Sequence, residues 1–128
     1  MRPHSLAWQS SNQVPSYPEV MRAVGIPGEV DVSFIVNPDG SVDESSITIT
    51  RFSNRAFIPS VRNAVASWRL PLYPESGRSG AIRTDLSVSF ALLGRCSGSD
   101  LPMRSLLFQP AFTRLIVLRC QPELVPRN

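Results

Sequence analysis

The side chains able to do chemistry are few in this chain, and their spacing argues against catalysis. The single histidine, His4, lies in an opening stretch with no hydrophobic period. General acid–base and nucleophilic catalysis both need a titratable or activated group held beside a partner in a folded pocket. Asp43 and Glu44 are neighbours in a strand-like segment, where consecutive side chains leave on opposite faces, so the two carboxyls do not converge as an acid and base pair. The glycines sit where helices end or turns form, and none belongs to a phosphate-cradling loop. The expectation is therefore a protein that is not an enzyme, with no catalytic residue, no metal and no cofactor. Cys96 and Cys120 are the only cysteines. They are too far apart in sequence for a redox motif, and a zinc site needs more ligands than His4 adds. Two readings stay open for them: a disulfide staple, whose closed loop would contribute about 3 kcal/mol in an oxidising compartment, or two buried thiols.

Composition sets the scale. A chain of 128 residues with 42% hydrophobic content buries one modest core. Only 18% of residues are charged and twelve are proline, but apolar residues are spread along most of the length, which argues against wholesale disorder. The net charge of +3 belongs to the ends of the chain. Residues 12–94 carry seven arginines against eight acids, whereas 95–128 carry five arginines against two acids, and Arg2 adds the rest. No basic stripe interleaved with aromatics marks a nucleic-acid surface, so no nucleic-acid partner is expected. No run approaches the roughly 18 apolar residues that cross a bilayer, and the start lacks the apolar core of a signal peptide. The chain reads as a soluble fragment of a longer protein, or as one that works where it is made.

The periodicities point to an α+β unit. Residues 1–14 read as a flexible lead-in. Tyr17 to Gly25 reads as a helix of about two turns, with Pro18 at its start and Gly25 at its end. Val30, Val32, Phe34 and Val36 then alternate with Glu29, Asp31, Ser33 and Ile35 as in a half-buried strand. Asn37-Pro38-Asp39-Gly40 suits a type I turn closed by a left-handed glycine, and a return strand follows over about Ser41–Thr50. Phe57, Val61, Ala64, Val65 and Trp68 form one apolar helical face, with Pro59 in the first turn. Residues 71–80 concentrate proline, glycine and serine and read as a loop. Ile82, Thr84, Leu86, Val88, Phe90 and Leu92 make the most regular strand in the chain. The expected architecture is a three-stranded antiparallel sheet with two helices packed on one face, which leaves sheet edges with unpaired backbone groups.

These landmarks, in order, resemble the TonB C-terminal family. Tyr17-Pro18 opens the first helix, and Gly25-Ile26 and Gly28 lead into Val30-Asp31-Val32-Ser33-Phe34-Ile35-Val36. Pro38-Asp39-Gly40-Ser41-Val42 matches the hairpin, Ala64-Val65-Ala66-Ser67-Trp68-Arg69 the helix end, and Phe90-Ala91-Leu92 the close of the last strand. The resemblance covers roughly residues 12–93. It implies a TonB/TolA C-terminal-like fold over 15–93 and a periplasmic adaptor for the N-terminal segment of TonB-dependent outer-membrane transporters. The grip would be strand addition, in which main-chain hydrogen bonds to an extended peptide supply affinity with little demand on its sequence. By that resemblance the pairing edge comprises Ile82, Arg83, Thr84, Asp85, Leu86, Ser87, Val88, Ser89 and Phe90, continuing to Leu92, with Gln13, Tyr17 and Pro18 near where the partner enters. A competing reading makes Tyr17 a ring packed on the core with its hydroxyl in water.

Coupling to the ExbB and ExbD motor follows only where a membrane anchor exists upstream, and a homodimer is a further open partner. The alternative from another class is a TonB-like interaction module of an envelope or signalling protein without energy transduction. Residues 94–128 lie beyond the resemblance and read as a C-terminal extension that Cys96 and Cys120 would staple. Within it, 94–105 read as a loop, and Arg114-Leu115-Ile116-Val117-Leu118-Arg119 reads as a short strand flanked by charge. Four consecutive large apolar residues on an unprotected tail invite aggregation. This run is therefore expected to pair with the sheet as an extra strand and cover an edge that would otherwise receive ligand.

Overall fold

The computed structural model describes residues 12–70, 81–96, 103–107 and 114–122, the 103–107 stretch by its backbone. Of the lead-in expected over residues 1–14, residues 1–11 lie outside the described residues, as does the loop expected over 71–80. In chain order the elements are α1 (Glu19–Val24), β1 (Gly28–Val36), β2 (Val42–Phe52), α2 (Ile58–Ala66), β3 (Ile82–Arg95), β4 (Met103–Leu107) and β5 (Arg114–Gln121). A single 3-10 turn, Arg55–Phe57, leads into α2, and the Asn54 side chain caps it by accepting from Ala56 N at 2.9 Å.

The fold is α+β, as the periodicities predict, but the sheet is wider than three strands. Its order is β2-β1-β3-β5-β4. β1 pairs antiparallel with both β2 and β3, which gives the expected antiparallel core. The chain leaves β3, runs back as outer strand β4, and turns into β5, which slots between β3 and β4. β5 is parallel to β3 and antiparallel to β4. A loop over the whole of 94–105 is therefore corrected, because β4 begins at Met103.

One face of the sheet is dry. Val30, Val32, Phe34 and Val36 of β1, Leu86, Val88 and Phe90 of β3, and Leu115 and Val117 of β5 all face the helices, since alternate residues of a strand share a face. α2 closes this face with Val61, Ala64 and Val65, and Phe57 and Trp68 flank it from the turns before and after. Trp68 meets Phe34 edge-on at 6.2 Å between ring centroids. Phe57 lies 4.8 Å from Phe90, and Tyr17 stands edge-on to both. Gly28 makes that aromatic cluster possible, because a Cβ there would clash with the Phe57 ring.

The opposite face is polar. Asp31 accepts from Ser87 Oγ at 2.9 Å and pairs with Arg51 Nε at 3.4 Å, its two cross-strand neighbours in register.

The β1–β2 hairpin turns as its residues dictate. Gly40 N donates to Asn37 O at 2.8 Å, and Gly40 takes φ 91°, a left-handed value that a side chain resists. Its carbonyl then accepts from Leu70 N at 2.8 Å, which ties the hairpin to the chain leaving α2. Asp39 Oδ1 accepts from both N and Oγ of Ser41, and these bonds hold its carboxyl below the usual range. β2 is not a regular edge. Its register with β1 slips twice, and at the second slip the Ile35 N–H is met by Ser46 Oγ at 2.8 Å instead of a strand carbonyl. Bulges of this kind blunt an outer strand against pairing with another chain.

Candidate functional site

β3 is the strand on which the sequence places the partner contact, and its two sides differ. Along one side β1 pairs with it continuously, from Val36↔Ile82 to Gly28↔Phe90. Along the other, β5 pairs from Ser87↔Arg114 to Leu92↔Arg119 and again at Arg95↔Gln121. β3 is thus the third of five strands rather than a sheet edge over Ser87–Leu92. Among the described residues, no strand pairs with that second side over Ile82–Leu86. The interior position has a simple cause. Leu115 and Val117 fall opposite Val88 and Phe90, so pairing β5 with β3 carries two aliphatic side chains into the core in a single register.

The candidate residues divide accordingly. Arg83 and Asp85 are exposed and form a loose pair at 3.8 Å. Ile82 and Thr84 are half-buried, as are Ser87 and Ser89 on the polar face. Leu86, Val88 and Phe90 are buried in the core. Their side chains are committed to packing, so any partner on β3 meets them through their backbone. Gln13 has an exposed side chain, and its carbonyl accepts from Trp68 Nε1 at 2.6 Å. The Asn12 amide beside it mimics a strand neighbour, donating to Arg69 O and accepting from Arg69 N, both at 3.0 Å. The segment before α1 is therefore fastened over the end of α2, with Pro15 fully buried and Pro18 half-buried.

Tyr17 sits in the core. Only 2% of it is exposed, and its hydroxyl donates to Ile26 O at 2.7 Å instead of facing water. Its ring is no contact surface in this arrangement. Burial raises the phenol pKa above 10.0, so the folded state disfavours the phenolate. Below pH 10 both states carry the neutral phenol and the contribution is intact. As pH rises from 10 through the folded value, the unfolded chain ionises first and stability falls. Denaturant midpoints measured across this range are expected to drop more steeply for the parent chain than for Tyr17→Phe. Parallel curves would show that the hydroxyl plays no part.

The sequence reading missed Arg22. It lies on a helix of only six residues and carries no motif, yet it is 3% exposed and sits at the end of β5. Its Nε donates to Cys120 O at 2.8 Å, and Nη1 reaches both carboxylate oxygens of Glu19 at 3.1 and 3.2 Å. Nη2 lies 3.5 Å from Cys96 Sγ and 3.9 Å from Cys120 Sγ. These two cysteines form a disulfide, with Cα atoms 4.9 Å apart. The only sequence signal for Arg22 is Glu19 three residues earlier, which suggests a surface ion pair and nothing more.

The described residues contain no cluster of three or more His, Cys, Asp or Glu side chains placed to hold a metal, and no helix among them is long and apolar enough to cross a membrane.

The chain is 44% identical over 69 residues to Protein TonB of Escherichia coli, an alignment covering 53% of this chain and 28% of that protein. It is 38% identical over 55 residues to Protein TonB of Pseudomonas aeruginosa, covering 43% of this chain and 16% of the relative. The shared region thus spans less than a third of the length of either relative. The family described as Gram-negative bacterial TonB protein C-terminal matches residues 13–92, the stretch from the anchored Gln13 to the end of the continuous β3–β5 pairing at Leu92, and the chain belongs to that family.

Proposed function

We propose that this domain is a periplasmic peptide-binding adaptor of the TonB type, which grips the extended N-terminal segment of an outer-membrane transporter by strand addition along β3. The observation that carries the reading is the second side of β3. It takes a strand in addition to β1, with backbone pairing over Ser87–Leu92, while Ile82–Leu86 have no strand partner on that side among the described residues. The bulged β2 edge is a poorer template, because its hydrogen-bonding groups are out of step. Gripping by backbone suits an adaptor that meets several transporters, since the ligand need only be extended. A strand pulled along its length also loads several hydrogen bonds together, which suits transmission of force. Coupling to the ExbB and ExbD motor would come from regions outside the matched segment, joined to a membrane anchor.

The test is a titration of the full chain with synthetic transporter N-terminal peptides, followed by backbone amide shifts with the disulfide intact and reduced. Shifts are expected along β3, beginning at Ile82–Leu86, and around Gln13. Shifts confined to β2, or none under either condition, would rule out strand addition on β3.

A further inference from the structure

We propose that β5 is an internal occupant of the peptide-binding side of β3, and that the Cys96–Cys120 disulfide, with Arg22 set against both sulfurs, is a redox latch that a dithiol reductant opens. The inference rests on the reading of β3 as the gripping strand and adds how access to it is controlled.

Two strands cannot share one side of a third. β5 takes up the backbone groups of β3 from Ser87 to Leu92 and buries Leu115 and Val117 in doing so, so an incoming peptide must displace it there. Beyond the ladder, several fastenings of β5 among the described residues gather at its finishing end. Cys120 is bonded to Cys96, Cys96 N donates to Gln121 O at 2.9 Å, Arg22 Nε donates to Cys120 O, and Gln121 Nε2 donates to Ala23 O at 3.3 Å. Because β3 and β5 run parallel, these bonds hold the finishing end of β5 against the finishing end of β3. A strand tethered this way competes with any free peptide at an effective concentration of roughly millimolar.

Arg22 separates a latch from a plain staple. A staple gains nothing from a buried cation against its sulfurs. A reducible disulfide does, because a cation stabilises the thiolate that leaves when the bond is attacked. The guanidinium is fixed for this: Nε on the Cys120 carbonyl and Nη1 on Glu19 leave Nη2 directed at both sulfurs. Both cysteines are only half-buried, within reach of a reductant. In the opening step, a thiolate of the dithiol attacks one Sγ, the Sγ–Sγ bond breaks, and the other cysteine leaves as a thiolate beside Arg22. The second thiol of the reductant then attacks the mixed disulfide and frees the first cysteine. Two electrons pass to the cysteine pair, the reductant becomes a disulfide, and the two protons from its thiols go to the cysteines or to solvent. β5 is then held by its ladders, two core side chains and the hydrogen bonds at its end, without the covalent tie.

Hydrogen exchange on the full chain tests the latch with no peptide present. Reduction with dithiothreitol is expected to speed exchange of the Leu115–Arg119 amides at least tenfold while those of Val30–Val36 keep their protection, and the double variant C96S/C120S is expected to behave the same way without reagent. Unchanged β5 amides, or loss of protection in β1 at the same time, would overturn the latch; the second result would make the disulfide a staple of the whole fold. A synthetic peptide of residues 113–121 carrying C120S reports access to β3 whatever the natural ligand. It is expected to bind the reduced chain at least tenfold more tightly than the oxidised chain, and equal affinities would overturn the proposal. Arg22→Met is expected to slow reduction by dithiothreitol at pH 7 at least tenfold, with Arg22→Lys intermediate; equal rates for all three chains would remove Arg22 from the latch. If β5 opens on reduction and no transporter peptide binds, the latch stands and the adaptor reading falls.

Discussion

Replacing Phe57 with alanine is expected to cost about 3–5 kcal/mol of stability, the range for removing a fully buried aromatic ring. Phe57 is 0% exposed and touches elements from three parts of the chain: Tyr17 before α1, Phe90 on β3 and the glycine that opens β1. The cavity would not close easily. Gly28 has no side chain to swing into it, and Tyr17 and Phe90 are fixed, the one by its bond to Ile26 O and the other by the β1 and β5 ladders. Edge-on and tilted aromatic contacts would be lost as well, each worth about 0.5–1.5 kcal/mol beyond area. Chemical denaturation with an unchanged m-value would measure the loss. A cost below about 1 kcal/mol, that of a lightly packed site, would show that the ring is not the keystone of this cluster.

The second large effect is expected from Leu115→Asp. This substitution places a carboxylate at a position that is 0% exposed, beside Val88 of β3 in the core. Burying an unpaired charge costs several kcal/mol, enough to outweigh the pairing of one short strand. The cheapest response is for β5 to leave β3 and carry the charge into water. Affinity for a transporter peptide should then rise by about tenfold or more, since each 1.4 kcal/mol of competition removed is one such factor. Isothermal titration would read this, with hydrogen exchange on β1 confirming that the remaining sheet stays folded. A chain in which β5 is out and β1 is intact but peptide affinity is unchanged would mean that transporters do not use this side of β3. Leu115→Asp acts on the occupant and leaves the disulfide chemistry alone, so it separates occlusion of the strand from control of that occlusion.

The antiparallel core was legible because its signals are local. Val30 to Val36 alternate, Asn37-Pro38-Asp39-Gly40 turns, and Phe57 to Trp68 repeat with a helical period, and each pattern depends only on residues a few positions apart. The sequence also shows that Leu115–Leu118 needs cover, since an apolar run of that length on a tail is a liability. The bulges in β2 were not legible. Glu44 to Ile47 step out of register because Ser46 serves the Ile35 N–H, an arrangement that depends on the neighbouring strand. Tyr17 was open between two readings, because its ring takes the core position only once Phe57 and Phe90 are brought together from distant parts of the chain.

By itself, then, the amino-acid order determined an α+β unit of TonB type, with β3 as its most regular strand and two cysteines bracketing an extension. Tertiary structure alone decided that the extension returns parallel to β3, that its Leu115 and Val117 complete the core, and that Arg22 meets Cys120 across 98 residues of sequence. The physical reason is that periodicity states which face of a strand is buried, whereas backbone pairing accepts any strand of matching register. Which strand lies beside β3 is settled by what else must be buried and tied at the same moment.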